Sequence, residues 1–186
     1  MIIGTDMKTK LMTLFAALLL CAGTNAQSVA TNGRTTKTLV AYFSWGGNTQ
    51  HVAERIASLT GGTLFRIEPE KPYPAEYKPC TEVAKAEKEA DAHPAIKSKV
   101  ESWEQYDTVF IGCPVWWWTA PMIINTFAES YDFRGKTVVP FCTYAATYRD
   151  ETLARIRELT PAAEFGTTGK DTNGVESWLR TINVIR

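Results

Sequence analysis

Short apolar runs alternate along the chain with segments whose apolar residues recur at helical spacing. Runs of β character fall at 38–44, 63–68, 108–113 and 137–142, with a weaker one at 164–166. Helical patterns lie between and after them, at 49–59, 76–91, 121–131, 150–159 and 174–185. In the first of these, Val52, Ile56 and Leu59 share one face at the 3.6-residue period. Runs such as Val109-Phe110-Ile111 lack polar alternation, as expected of parallel strands buried on both faces. Strands that alternate with helices predict right-handed βαβ units and an α/β fold, a doubly wound parallel sheet of five strands. No internal repeat, low-complexity tract or second domain interrupts the pattern.

The first 26 residues do not fit that pattern. Met7-Lys8-Thr9-Lys10 is a small positive segment, and the apolar run from Leu11 to Leu20 is broken only by Thr13. Thr24-Asn25-Ala26 then supplies small residues before a cut ahead of Gln27, so residues 1–26 read as a signal peptide. The run is shorter than the ~20 apolar residues that a membrane-spanning helix needs. A lipid anchor on Cys21 ranks second, because Leu20 occupies the place where a lipobox takes Gly or Ala. Residues 27–36 read as a polar linker and 37–186 as the domain. The expected location is therefore exported, periplasmic or secreted.

Charge narrows the partners further. Twenty basic residues balance twenty acidic ones. Such a balance creates no field to draw nucleic acid or an anionic membrane, and neither is expected as a partner. Cleavage after Ala26 removes Asp6, Lys8, Lys10 and Cys21, leaving Cys80, Cys113 and Cys142, an odd number of thiols for an oxidising compartment.

In open sheets of this kind ligands sit beyond the carboxyl ends of the strands. Three loops lie there. Ser44-Trp45-Gly46-Gly47-Asn48-Thr49 joins a strand to an amphipathic helix. Its glycines permit a tight turn with exposed N–H groups, Ser44, Asn48 and Thr49 add neutral donors, and the helix points its positive end at the loop. These features make an anion site without Lys or Arg, unlike a Walker A loop. A tight turn capped by Asn or Thr would use the same residues. The second loop, Pro114-Val115-Trp116-Trp117-Trp118, follows the buried strand. Successive extended residues point to opposite sides, so at least one indole should face solvent or a planar ligand. The third loop runs Thr143-Tyr144-Ala145-Ala146-Thr147-Tyr148-Arg149.

The run from Leu39 to Thr49 with Val52-Ala53 resembles the FMN-phosphate motif of flavodoxins. Tyr106-Asp107, the segment Pro114 to Trp117 and Ala120-Pro121-Met122 resemble the next flavin loop of that family. Phe133-Arg134-Gly135-Lys136, Val139 to Thr143 and Trp178-Leu179 also match, so the similarity spans roughly residues 37–185. The resemblance implies a flavodoxin-like sheet in the order 2-1-3-4-5 with FMN bound noncovalently at its carboxyl edge. It places Ser44, Gly46, Gly47, Asn48, Thr49 and the backbone N–H of Trp45 around the phosphate. Pro114, Val115, Trp116 and Trp117 would line the isoalloxazine. Two positions depart from the family: Gly46, where a Thr is frequent, and the third loop, usually rich in Ser and Gly. At Thr143, Tyr144 and Tyr148 the side chains either crowd the ring or build a second aromatic wall.

Other chemistries fit poorly. Tyr42-x-Ser44-x-Gly46 lacks the first glycine of a nucleophile elbow, and Cys142 stands one residue too far from Arg149 for a phosphatase loop. His51 and His93 lack metal-ligand spacing. Cys113 and Cys142 end neighbouring strands and could bridge, although two buried thiols are the simpler expectation. The function expected is electron transfer through FMN, with a partner protein or a small-molecule acceptor. The alternatives are an NAD(P)H-dependent flavin or quinone reductase, and a non-redox ligand-binding module on the same fold.

Overall fold

The computed structural model describes residues 37–145, 147–161, 164–165 and 174–186. The expected signal peptide, the linker, Ala146 and the end of the last predicted strand lie outside the described residues. Strands β1 (Lys37–Tyr42), β2 (Thr63–Arg66), β3 (Tyr106–Pro114), β4 (Thr137–Thr143) and β5 (Glu164–Phe165) alternate with helices α1 (Asn48–Thr60), α2 (Tyr77–Glu89), α3 (Ile123–Glu129), α4 (Arg149–Leu159) and α5 (Val175–Thr181). The sheet is parallel throughout and ordered β2-β1-β3-β4-β5. Its body is β2-β1-β3-β4, and β5 adds two residues at one edge. Among the described residues no helix is long and apolar enough to cross a membrane.

The central strands bury both faces, as their unbroken apolar runs require. One face packs Leu39, Ala41, Val109, Ile111 and Val138 against Ile123, Phe127 and Ile156 of α3 and α4. The other packs Val40, Phe110, Val139 and Phe141 against Val52, Ile56 and Leu179 of α1 and α5. Helix α2 belongs to neither cluster and buries only Cys80 and Ala84. Its place is the carboxyl edge of the sheet, where it covers the loops rather than a sheet face.

The observed ends differ from the predicted ones by a few residues. α5 stops at Thr181 rather than 185, because Asn183 turns at φ 58 and reverses the chain. β2 stops at Arg66, although the Ile67 N–H still reaches the Tyr42 carbonyl at 2.7 Å.

Cys113 and Cys142 are register partners on β3 and β4, and both are free thiols, as is Cys80. Burial pushes the Cys113 thiol well up and the Cys142 thiol up to about 12, the latter against the opposing pull of Arg149. A thiolate is the reactive form. The folded protein should therefore leave Cys113 and Cys142 unmodified by a thiol reagent at neutral pH, and denaturation without reductant should release three titratable thiols from residues 37–186. Mass spectrometry after each treatment checks both numbers.

Candidate functional site at the carboxyl edge

The loop between β1 and α1 turns on Gly47, which has φ 91 and precedes the helix. An L side chain resists that conformation. The Ser44 hydroxyl accepts the Gly47 N–H at 3.1 Å and folds the loop back on itself. A capped turn would need Asn48 or Thr49 to bond the first N–H groups of α1, and no side chain caps this helix. The donors of its first turn therefore remain open to a ligand, with the helix dipole behind them. Asn48 is exposed, and a Cβ built on Gly46 would meet nothing within 4 Å, so the space above the loop is clear.

Thr143 ties the loops together. Its hydroxyl lies 2.8 Å from that of the buried Thr49, and its carbonyl accepts the Val115 N–H at 3.0 Å. The loop between β1 and α1, the tryptophan loop and the end of β4 thus meet at one residue. Pro114 stands opposite Thr143 in the strand register and starts the tryptophan loop.

The indole run does not continue as an extended strand. Trp116 and Thr119 exchange backbone hydrogen bonds of 2.9 and 3.1 Å, which makes a two-residue turn of Trp117 and Trp118. Both have positive φ, 45 and 71. Such turns prefer Gly and Asn, so two tryptophans here cost about 1–3 kcal/mol each in backbone strain. The turn separates the rings. Trp116 packs edge-on against Phe43 at 5.2 Å and Tyr73 at 5.0 Å. Trp117 donates Nε1–H to the Thr81 carbonyl of α2 at 2.8 Å. Trp118 is 54% exposed, under the Lys88 ammonium at 4.7 Å and against Tyr148 at 5.9 Å.

A cleft of about 540 Å³ opens among these rings. Trp45, Trp116, Trp117, Trp118 and Tyr148 line it, closed on one side by Tyr77, Cys80 and Ala84 of α2. Its volume suits a small planar ligand. Trp45 lines the cleft, its ring held by an Nε1–H bond of 2.9 Å to the Pro74 carbonyl. In the third loop Tyr148 lines the cleft, whereas Tyr144 lines a separate groove with Arg149, Asp150 and Glu151.

Sequence reasoning overlooked three contributors. Arg66, at the end of β2, donates to the Ser44 carbonyl at 3.3 Å and brings positive charge to a loop read as lacking it. Trp118 is the most exposed indole of its run, but nothing in Trp-Trp-Trp signals a turn with positive φ. The α2 residues in the cleft were readable only as a solvated helix, because no local pattern says which loop a helix covers.

A family model described as Flavodoxin matches residues 37–182. A protein from Bacteroides eggerthii, assigned as a flavoprotein, has a crystal structure that matches at 35% identity and TM-score 0.69, covering 80% of this chain and 98% of that one. A second such protein, from Bacteroides uniformis, matches at 36% identity and TM-score 0.67, covering 78% and 98%. A flavoprotein from Lactobacillus acidophilus, crystallised in complex with FMN, matches at 25% identity and TM-score 0.68, covering 77% and 98%. Comparison with curated proteins gives no match. The architecture and the residues matched agree: the chain belongs to the flavodoxin family.

Proposed function

We propose that the chain binds FMN noncovalently at this edge and works as an electron-transfer protein. The observation that carries the reading is the junction at Thr143, which brings an uncapped helix N-terminus and an aromatic cleft together. The complex of the Lactobacillus acidophilus relative with FMN supports it.

The residues present fit a phosphate. The Ser44 hydroxyl accepts the Gly47 N–H and so keeps its own proton to donate. The Thr49 and Thr143 hydroxyls share one hydrogen bond, which leaves one of their two protons for a ligand. The first-turn N–H groups of α1 complete a neutral donor set, and Arg66 adds charge behind it. The aromatic walls fit a flat ring. Trp118 and Tyr148 now touch, so they would part to admit a ring between them, or a ring would lie against one outer face.

When bound, FMN supplies the redox chemistry. The chain's own residues hold the phosphate, orient the ring system and keep water from its inner face. Redox partners are either a protein or a small-molecule acceptor. The reductase alternative draws on one observation: α2 leaves Tyr77 73% exposed at the cleft mouth, a surface on which a small planar acceptor could stack. With the N-terminal signal read from the sequence, the proposed place of action is outside the cytoplasm.

Purified protein mixed with FMN and freed of unbound flavin should retain a flavin spectrum that bleaches with a chemical reductant and returns in air. A folded protein that retains no flavin would contradict the proposal and favour the ligand-binding module. Turnover of NADH or NADPH with a quinone would select the reductase. Trp118→Ala should weaken FMN about tenfold, since an aromatic stack contributes about 1–3 kcal/mol. Fluorescence titration of the variant measures it.

A further inference from the structure

Behind the aromatic cleft stand two residues, Tyr73 and Glu87, that the proposed FMN site does not use. Trp116 lines the cleft, and its ring meets Tyr73 edge-on at 5.0 Å. The Tyr73 hydroxyl donates to the Glu87 carboxylate of α2 at 2.7 Å. Tyr73 and Glu87 line another cleft, of about 670 Å³, framed by Pro69, Pro72, Pro74 and Pro94 and open to solvent. Indole, phenol and carboxylate thus form a continuous line from one cleft to the other. Tyr131 stacks on Trp103 and accepts the Val100 N–H, and Tyr148 meets Trp118, but among the described residues neither phenol donates to a carboxylate.

We propose that Trp116, Tyr73 and Glu87 form a path that carries an oxidising equivalent out of the aromatic cleft. A one-electron oxidant of the free-radical class, arriving in the cleft, takes one electron from Trp116. Tyr73 returns one electron to the oxidised indole. As it does so its O–H bond breaks, and the proton passes along the existing hydrogen bond to the Glu87 carboxylate. The products are the reduced oxidant, an intact Trp116, a neutral tyrosyl radical and a protonated Glu87. The radical then faces the proline-framed cleft, where a reductant in solution can reach it. The carboxylate matters because an oxidised phenol that keeps its proton is a far stronger acid than Tyr73 at rest. An acceptor already hydrogen-bonded removes the need for a separate proton transfer.

A purely structural Tyr73–Glu87 bond would tie α2 to its preceding loop without selecting where a radical settles. Pulse radiolysis separates the two, and it needs no bound flavin. Azide radicals generated in a solution of the protein oxidise tryptophan side chains, and transient absorption follows the conversion of tryptophanyl to tyrosyl radical. The wild type should show a tyrosyl phase whose rate is independent of protein concentration. Tyr73→Phe should lose that phase while Tyr131→Phe keeps it. Glu87→Gln, which retains an acceptor oxygen but is a much poorer base, should slow it about tenfold or more. Trp116→Phe, which keeps an aromatic ring against Phe43 and Tyr73, should remove it as well. An unchanged phase in folded Tyr73→Phe, or in both Glu87→Gln and Trp116→Phe, would overturn the path. That outcome is independent of whether the protein binds FMN.

Discussion

Thr49→Val is expected to weaken FMN binding by about 10- to 150-fold, the range of a lost hydrogen bond of about 1.5–3 kcal/mol to a charged group. Valine replaces threonine with little change of shape, and the site is 1% exposed, so the packing around α1 survives. Two things are lost. One is a hydroxyl donor at the mouth of the helix N-terminus. The other is the 2.8 Å bond to Thr143, the residue that also holds Val115. Thr143→Val removes that bond while leaving the Thr49 hydroxyl in place. If Thr49 acts on the phosphate, its substitution should cost more than that of Thr143. If it acts only as a tie between loops, the two variants should lose equally. Calorimetric titration with FMN of both single variants and the double variant gives the comparison.

Gly112→Ala should be the most damaging single-methyl change within the sheet. Gly112 faces Phe141 across the β3–β4 ladder. A Cβ at this position would lie 2.0 Å from Cζ of that ring and 2.3 Å from Cε2. Ordinary carbon contacts need about 3.5–4.0 Å, so the ring would have to move by more than an ångström. It has nowhere to go, because Phe141 is fully buried among Val40, Val52, Phe110 and Leu179. Overpacking of this kind costs about 1–3 kcal/mol and sometimes more. At about 2–4 °C per kcal/mol for a domain of this size, the melting temperature should drop by roughly 2–12 °C. Phe141→Leu in the same background removes the ring and should restore part of the loss. Thermal unfolding followed by circular dichroism reads both. Here glycine is required by the approach of a neighbour rather than by its own backbone angle.

Much of the architecture was legible because it follows from local patterns. Val109-Phe110-Ile111 could only be a strand buried on both faces, and Val52, Ile56 and Leu59 could only present one helical stripe. The loop from Ser44 to Thr49 was legible as the turn into α1 for the same reason, since its glycines and hydroxyls adjoin that helix. What stayed hidden depends on contacts between distant segments. Arg66 reaches Ser44 across β1 and β2, and Tyr73 reaches Glu87 across a loop. The indole run was legible only in part. Alternation along an extended chain implied that at least one ring faces outward, and Trp118 does; the chain turns there instead of running extended, and Trp116 and Trp117 line the cleft beside it. In the third loop both tyrosines were expected at the ligand, and only Tyr148 lines the cleft, while Tyr144 lies in the neighbouring groove.

The central claim is that the loop from Ser44 to Thr49 holds a phosphate beside the aromatic cleft. The most direct measurement is the affinity of the flavin-free protein for FMN against riboflavin, which share the ring system and differ by the phosphate. A phosphate cradle predicts that FMN binds more tightly by at least about tenfold, and that Thr49→Val narrows the gap. Equal affinity for the two flavins, or no binding of either by folded protein, would contradict it.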